Sequence, residues 1–272
     1  MDRELDGRRF QYNAWMNPRD SFDRDNLIAA ETLLTEQAIA RDYFQGELYR
    51  RDGARLTGIT IEQADGATLD LDEAETGKLF MIPDGSLVWA RAVREHGAAP
   101  AGLDVMANNP LMAEDEYTSV IAYKDDEGTS LRVDALYIRR LMLAGDAPDR
   151  LATVSFGLMA VSAYRLGFHR ITLFAAGNGP IDPDDRDGLV GFAVWPKFGF
   201  DAPLDPAELN AAPSEALRAC TTLQDVFAED PDWWNANGRG RDMHFDLSAG
   251  SRSWTILLNY LYQALPLPEI EP

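Results

Sequence analysis

Apolar residues recur along this chain with two periods, one helical and one extended. From Asp25 to Gln45 they return every three or four positions, which predicts an amphipathic helix. From Tyr117 to Lys124 and from Leu131 to Leu143 they alternate with polar residues, and the intervening Asp125-Asp126-Glu127-Gly128 is typical of a turn. These two segments predict a β-hairpin.

The rest of the chain also alternates between extended and helical patterns. Strands are predicted at Arg55–Glu62, Thr68–Leu71, Leu79–Ile82, Leu87–Ala92, Arg170–Ala176, Leu189–Trp195 and Met243–Leu247. Helices are predicted at Thr153–Arg165, at Pro206–Ala228 in two pieces, and at Ser251–Leu265. Loops are predicted at 100–110 and 181–188, and the first 24 residues read as a polar arm. Mixed patterns of this kind favour an α/β (α+β) class.

The chain divides poorly into separate units, because no segment has the composition of a linker. We expect an α/β domain at residues 1–204, which includes the arm and the first helix. Residues 205–272 are expected to form a C-terminal extension packed on the same domain.

Composition narrows the range of partners. The 45 acidic side chains outnumber the 25 basic ones and give a net charge of -20. Such a surface repels nucleic acid and anionic membranes. A macromolecular partner of this surface is expected to be a basic protein. The first residues lack the apolar core of a signal peptide, and no apolar run is long enough to cross a membrane. We therefore expect a cytoplasmic protein, and the lone Cys220 allows no internal disulfide.

Two local patterns resemble a known family. Residues 163–173 place Gly167-Phe168 between a helix and the strand that follows, and Trp195 is followed after three residues by Gly199-Phe200. Together with the hairpin, these patterns make residues 117–204 resemble the GNAT-type acetyltransferases in the order of their helices and strands. The resemblance implies a mixed central sheet of GNAT-like architecture, with an N-terminal helix and a C-terminal helical extension.

The resemblance also implies a cofactor, acetyl-CoA or another acyl-CoA, and an acyl group transferred to the amine of a small molecule or protein. In that family, backbone amides at a helix start hold the pyrophosphate. The matching amides here belong to Arg150, Leu151, Ala152 and Thr153, and Tyr164 is expected to wall the thioester channel.

The expected catalytic residues are Asp134, as the general base, and Trp195, which is also expected to wall the channel. Trp195 stands where the family often has a tyrosine, and its indole N–H cannot protonate a leaving thiolate. The turn before Arg150 has no glycine, and Asp149 adds negative charge there. An inactive GNAT-like scaffold that binds a basic protein through its acidic surface is therefore the alternative function.

A third hypothesis concerns residues 242–247. If residues 242–247 form a strand, Asp242, His244 and Asp246 share one face, and these side chains could ligate a divalent metal ion. The same pattern is also typical of the polar face of a half-buried strand.

Overall fold

The computed structural model describes residues 17–127, 131–182 and 188–266, so the predicted arm before residue 17 and loop residues 183–187 lie outside it. A seven-stranded mixed sheet flanked by helices confirms the predicted α/β class. The strands are β1 Tyr49–Arg50, β2 Ile59–Glu62, β3 Thr68–Leu71, β4 Leu87–Val93, β5 Gly102–Asn108, β6 Thr118–Glu127, β7 Leu131–Arg140, β8 Arg170–Asn178 and β9 Arg239–Asp246. The helices are α1 Pro18–Phe22, α2 Ile28–Thr35, α3 Ala38–Tyr43, α4 Glu73–Leu79, α5 Leu151–Arg165, α6 Gly191–Val194, α7 Glu215–Arg218, α8 Leu223–Glu229, α9 Pro231–Asn237 and α10 Arg252–Ala264.

The strands of the main sheet lie in the order β1-β4-β5-β6-β7-β8-β9, and β2 with β3 forms a separate hairpin. The pairs β1–β4 and β7–β8 are parallel, and the other neighbours are antiparallel. The parallel pair β7–β8 is connected by α5, as a crossover between parallel strands requires. Since β9 pairs with β8, the region after residue 204 contributes a strand to the same sheet.

The predicted hairpin is confirmed as β6–β7, and it contains a β-bulge. Val120 lies opposite Ile138, but Ser119 lies opposite Arg140, which leaves Arg139 as an extra residue in β7. Residues opposite each other in an antiparallel pair share a face. The bulge therefore turns Arg140 onto the face of Ser119, away from the face of Ile138.

The hydrophobic core lies on the face of the sheet that carries Ile138. Val120, Leu136 and Ile138 belong to one buried cluster with side chains of α2, α4, α5 and α10. Gly157 permits the close approach of α2 to α5, because a Cβ atom there would lie 2.7 Å from Cδ2 of Leu34. Asp104, Ser119 and Ile121 lie on the opposite face, where residue pairing aligns them across β5 and β6.

Two predicted strands are wrong. Residues 189–195 contain α6 and lead into a 3₁₀ turn, Trp195–Phe198, because Phe192 and Ala193 bury one side of a helical turn. Residues 79–82 complete and follow α4, whose capping box at Asp72 and Glu75 starts the helix.

Two other secondary-structure predictions differ from the structure. The predicted loop 100–110 contains β5, whose small residues suit a crowded sheet, because a Cβ at Gly102 would lie 2.3 Å from the carbonyl oxygen of Ala122. The predicted single helix Asp25–Gln45 is interrupted: a π-helical turn at Asp23–Leu27 precedes α2, and Glu36 and Gln37 separate α2 from α3.

Candidate functional site

The central parallel strands β7 and β8 pair over a short stretch and then separate. Their register runs from Ala135 opposite Arg170 to Ile138 opposite Leu173. β8 nevertheless continues to Asn178, paired on its other side with β9. A gap therefore opens between the carboxyl ends of the two strands, which is where open α/β sheets bind ligands.

The chain that follows β7 explains this separation. The N–H of Ala113 donates to the carbonyl oxygen of Met142 at 3.0 Å, and the N–H of Ala144 donates to that of Leu111 at 2.9 Å. Residues 141–144 thus pair with the segment before β6. They do not pair with β8, which beyond Leu173 has no strand partner on that side among the described residues.

The gap is a cleft of about 840 Å³, within the range of small-molecule sites. Three apolar side chains at its rim are unusually exposed: Phe174 at 50%, Leu189 at 49% and Val190 at 40%. Other apolar side chains of the lining include Ile138, Leu141, Met142, Leu143, Leu173, Val194 and Phe198. Exposed apolar surface collected in one concave place is typical of a ligand site.

The first turn of α5 borders the cleft through Ala152. The helix begins at Leu151, after Arg150, whose φ of 68° is left-handed and whose side chain provides no cap. The N–H groups of Leu151 and Val154 donate to carbonyl oxygens upstream, whereas those of Ala152 and Thr153 have no acceptor within the described ranges. Free N–H groups at the positive end of a helix dipole favour an anion.

The side chains before this turn carry opposite charges. Asp149 and Arg150 are both exposed, and neither forms an ion pair with another residue that the structure describes. Leu151 and Thr153 are buried, at 2% and 5% exposure. Of the four positions predicted to hold a phosphate, Ala152 is therefore the one that lines the cleft.

Trp195 belongs both to the wall of the cleft and to an aromatic cluster. Its ring centroid lies 5.8 Å from those of Phe156 and Phe198, and 5.2 Å from that of Phe200. These contacts fix the orientation of the indole, which remains half-buried. Trp195 therefore lines the cleft, and its N–H makes it a hydrogen-bond donor only.

Charged groups also line the cleft, and sequence reasoning did not single them out. Arg139 is paired with Asp104, and the guanidinium of Arg140 pairs with Glu116 and lies over the ring of Tyr117 at 4.9 Å. Arg139 and Arg140 reach the cleft because of the bulge in β7.

Glu114 supplies the only carboxylate among the described residues of the lining, and its side chain is exposed. Its neighbours Ala113 and Asp115 carry no recognisable motif. The residue reaches the cleft because 111–113 pairs with 141–144, a long-range contact with no local signal.

Two predicted site residues lie elsewhere, and those expectations are corrected. Asp134 lies toward the other end of β7, where its Oδ1 accepts the N–H of Ala64 at 2.9 Å and burial raises its pKa. Tyr164 lies near the end of α5, roughly 20 Å along the helix from Arg150 at 1.5 Å per residue. Its buried hydroxyl donates to the carbonyl oxygen of Arg19 at 2.9 Å.

The strand expected around His244 is present as β9, with the predicted alternation of burial. The carboxylate of Asp246 serves local structure, since its Oδ1 accepts the N–H of Ser248 at 2.8 Å. Within the described ranges, no three His, Cys, Asp or Glu side chains gather closely enough to hold a metal ion. The metal hypothesis at Asp242, His244 and Asp246 therefore has no support.

Comparisons with protein-family models, with curated proteins and with solved structures gave no match to this chain. None of the helices in the described parts of the chain has the length and apolar character needed to cross a bilayer.

Proposed function

We propose that this protein binds an acyl-CoA in the cleft between β7 and β8 and transfers its acyl group to an amine. The observation that carries the proposal is the separation of the two parallel strands after Ile138 and Leu173, with the uncapped first turn of α5 beside it. The gap accepts an extended chain, and the free N–H of Ala152 offers hydrogen bonding to a phosphate.

The chemistry of the cleft suits the middle of such a ligand. Beyond Leu173, the edge of β8 that faces β7 pairs with no described strand. Its backbone N–H and C=O groups can pair with the amides of a pantetheine arm as they would with an added strand. The apolar side chains around Leu143 and Val194 suit its methylene groups and the thioester.

Glu114 replaces Asp134 as the candidate general base. Transfer to an amine requires that a proton leave the ammonium form before or during attack on the thioester. Glu114 borders the cleft, whereas Asp134 binds the amide of Ala64 away from it. Trp195 would orient the thioester by packing, and positioning would supply much of the rate enhancement.

The alternative is an inactive scaffold of the same architecture that binds a basic protein. One observation favours it: the wall residue of the cleft is Trp195, which cannot donate a proton to a thiolate. This alternative predicts no gain in stability with an acyl-CoA.

The deciding experiment measures the thermal midpoint of the purified full chain with and without acetyl-CoA. Saturating ligand at about 100 times its dissociation constant should stabilise the protein by roughly 2.7 kcal/mol and raise the midpoint. Arg150→Glu should reduce the shift, because it places negative charge beside the phosphate site.

Arg41→Glu is the matched control, since Arg41 is also exposed and lies in α3. It makes the same change in net charge and should keep the full shift. If the wild-type protein shows no shift, acyl-CoA binding is wrong. If Arg150→Glu keeps the full shift, the phosphate site is misplaced.

A further inference from the structure

A second, smaller pocket of about 220 Å³ lies next to the cleft. Its charged lining consists of Arg91 on β4, Arg94 and His96 in the connection between β4 and β5, and Arg139 on β7. Arg139 lines both cavities, so the pocket and the cleft border the same side chain.

One buried carboxylate sits beneath these cations. Asp104 has no exposed surface, and its Oδ2 lies 3.0 Å from Nη1 of Arg139 and 3.7 Å from Nη2 of Arg91. Its Oδ1 accepts the hydroxyl of Ser119 at 2.6 Å. These contacts fix Arg139 in place, because the carboxylate that holds it is itself held by a second strand.

The pocket has more positive than negative charge. Three guanidinium groups line it, and among the described residues Asp104 is the one carboxylate that pairs with them. Their charges exceed that of the carboxylate by two, before His96 is counted. Arg94 forms no ion pair with any described residue. Glu95, its exposed sequence neighbour, is not part of the lining.

This excess stands out in a chain whose net charge is -20. Guanidinium groups gathered around one cavity repel each other unless an anion joins them. Their planar donors match the oxygens of a carboxylate or phosphate in pairs, and a concave site concentrates the local field.

We propose that Arg91, Arg94 and Arg139 bind the carboxylate or phosphate group of a small molecule. A cavity of about 220 Å³ admits such a group with a few carbon atoms. The pocket binds its anion whether or not the cleft binds acyl-CoA. If the protein transfers an acyl group as proposed, the acceptor is an amine that also carries an anionic group, because Arg139 borders both cavities. This statement about the acceptor rests on the proposed function.

Isothermal titration calorimetry of the full chain tests this pocket with two probes, inorganic phosphate and succinate, at constant ionic strength. At least one should bind saturably to the wild-type protein, and the tighter probe identifies the class of oxyanion. Arg91→Gln and Arg94→Gln should each weaken binding about tenfold through the loss of charged hydrogen bonds.

Arg50→Gln is the control, since the side chain of Arg50 is 56% exposed and that of Arg91 is 57% exposed. It should leave the affinity unchanged. The proposed anion site is disproved if neither phosphate nor succinate binds saturably. It is also disproved if Arg91→Gln and Arg94→Gln both bind the probe as tightly as the wild type. Binding of acetyl-CoA should survive in Arg91→Gln, and its loss there would show that the anion pocket is not a separate site.

Discussion

Nη1 of Arg139 lies 3.0 Å from Oδ2 of Asp104, although the two residues belong to strands that β6 separates. The bulge after Ile138 makes this contact, because it gives β7 an extra residue at the height of Ser119. Arg139 lines both the cleft and the anion pocket, so both depend on one irregularity in the sheet.

Removing the charge of Asp104 should destabilise the fold. Asp104→Asn leaves Arg139 without its carboxylate and should lower the free energy of unfolding by about 2–3 kcal/mol. Asp52→Asn, which breaks the exposed pair with Arg50, should leave the free energy of unfolding nearly unchanged, because solvent screens that pair. Urea denaturation measures both. Equal losses would mean that the buried pair contributes no more than a surface pair.

Gly177 should tolerate no side chain. Its φ is +107°, and a Cβ there would lie 1.7 Å from the carbonyl oxygen of Leu189 at the rim of the cleft. Gly177→Ala should destabilise the protein by at least about 2 kcal/mol, because backbone must move to make room. Gly53→Ala is the control, with a φ of +80° and open space around it, and should cost about 1 kcal/mol. Similar thermal midpoints for the two variants would contradict the close approach.

Asp134→Asn should stabilise the protein at neutral pH. Burial raises the pKa of Asp134 above its ordinary value of 3.8, so the folded state holds the proton more tightly than the unfolded state. The ionised group therefore costs stability above the folded pKa, and the cost disappears as pH falls below 3.8. Asparagine still accepts the N–H of Ala64, so we expect a gain of less than about 1 kcal/mol at pH 7.

The free energies of unfolding of Asp134→Asn and of the wild-type protein should be measured by denaturation between about pH 3 and 7. This range spans the ordinary pKa of a carboxyl group, about 4. A gain that grows toward low pH would have the wrong sign. Acetyl transfer, if detected, should be retained in Asp134→Asn and reduced in Glu114→Gln, since Glu114 lines the cleft.

Asp225 should have the opposite pH dependence. The hydrogen bond from Arg252, with those from the amides of Thr221 and Thr222, lowers its pKa. Its contribution is present above the ordinary value of 3.8 and is lost as pH falls through the lowered folded value. Asp225→Asn should cost about 0.5–1 kcal/mol at pH 7, and progressively less below pH 3.8. Glu229→Gln, an exposed change in the same helix, should cost nothing, and a pH-independent loss in Asp225→Asn would refute the explanation.

Local patterns predicted the hairpin β6–β7, α5 and β8 because each buries one face with its own period. Alternation in residues 131–140 and helical spacing in 151–165 reflect backbone geometry, which neighbours within a few positions decide. The same reasoning failed at Leu189–Trp195, where the short apolar run fits either a strand or a helix and burial against the core selects the helix.

The chain alone thus determined the mixed class, its acidic surface and most of the central strands, because these follow from composition and short periods. Only the tertiary structure decided where the strands separate, that Glu114 and Arg139 border the gap, and that Asp134 and Tyr164 do not. Those positions depend on a bulge and on pairing between residues 111–113 and 141–144. Such contacts join residues about 30 positions apart in sequence, a separation at which no periodic pattern carries information.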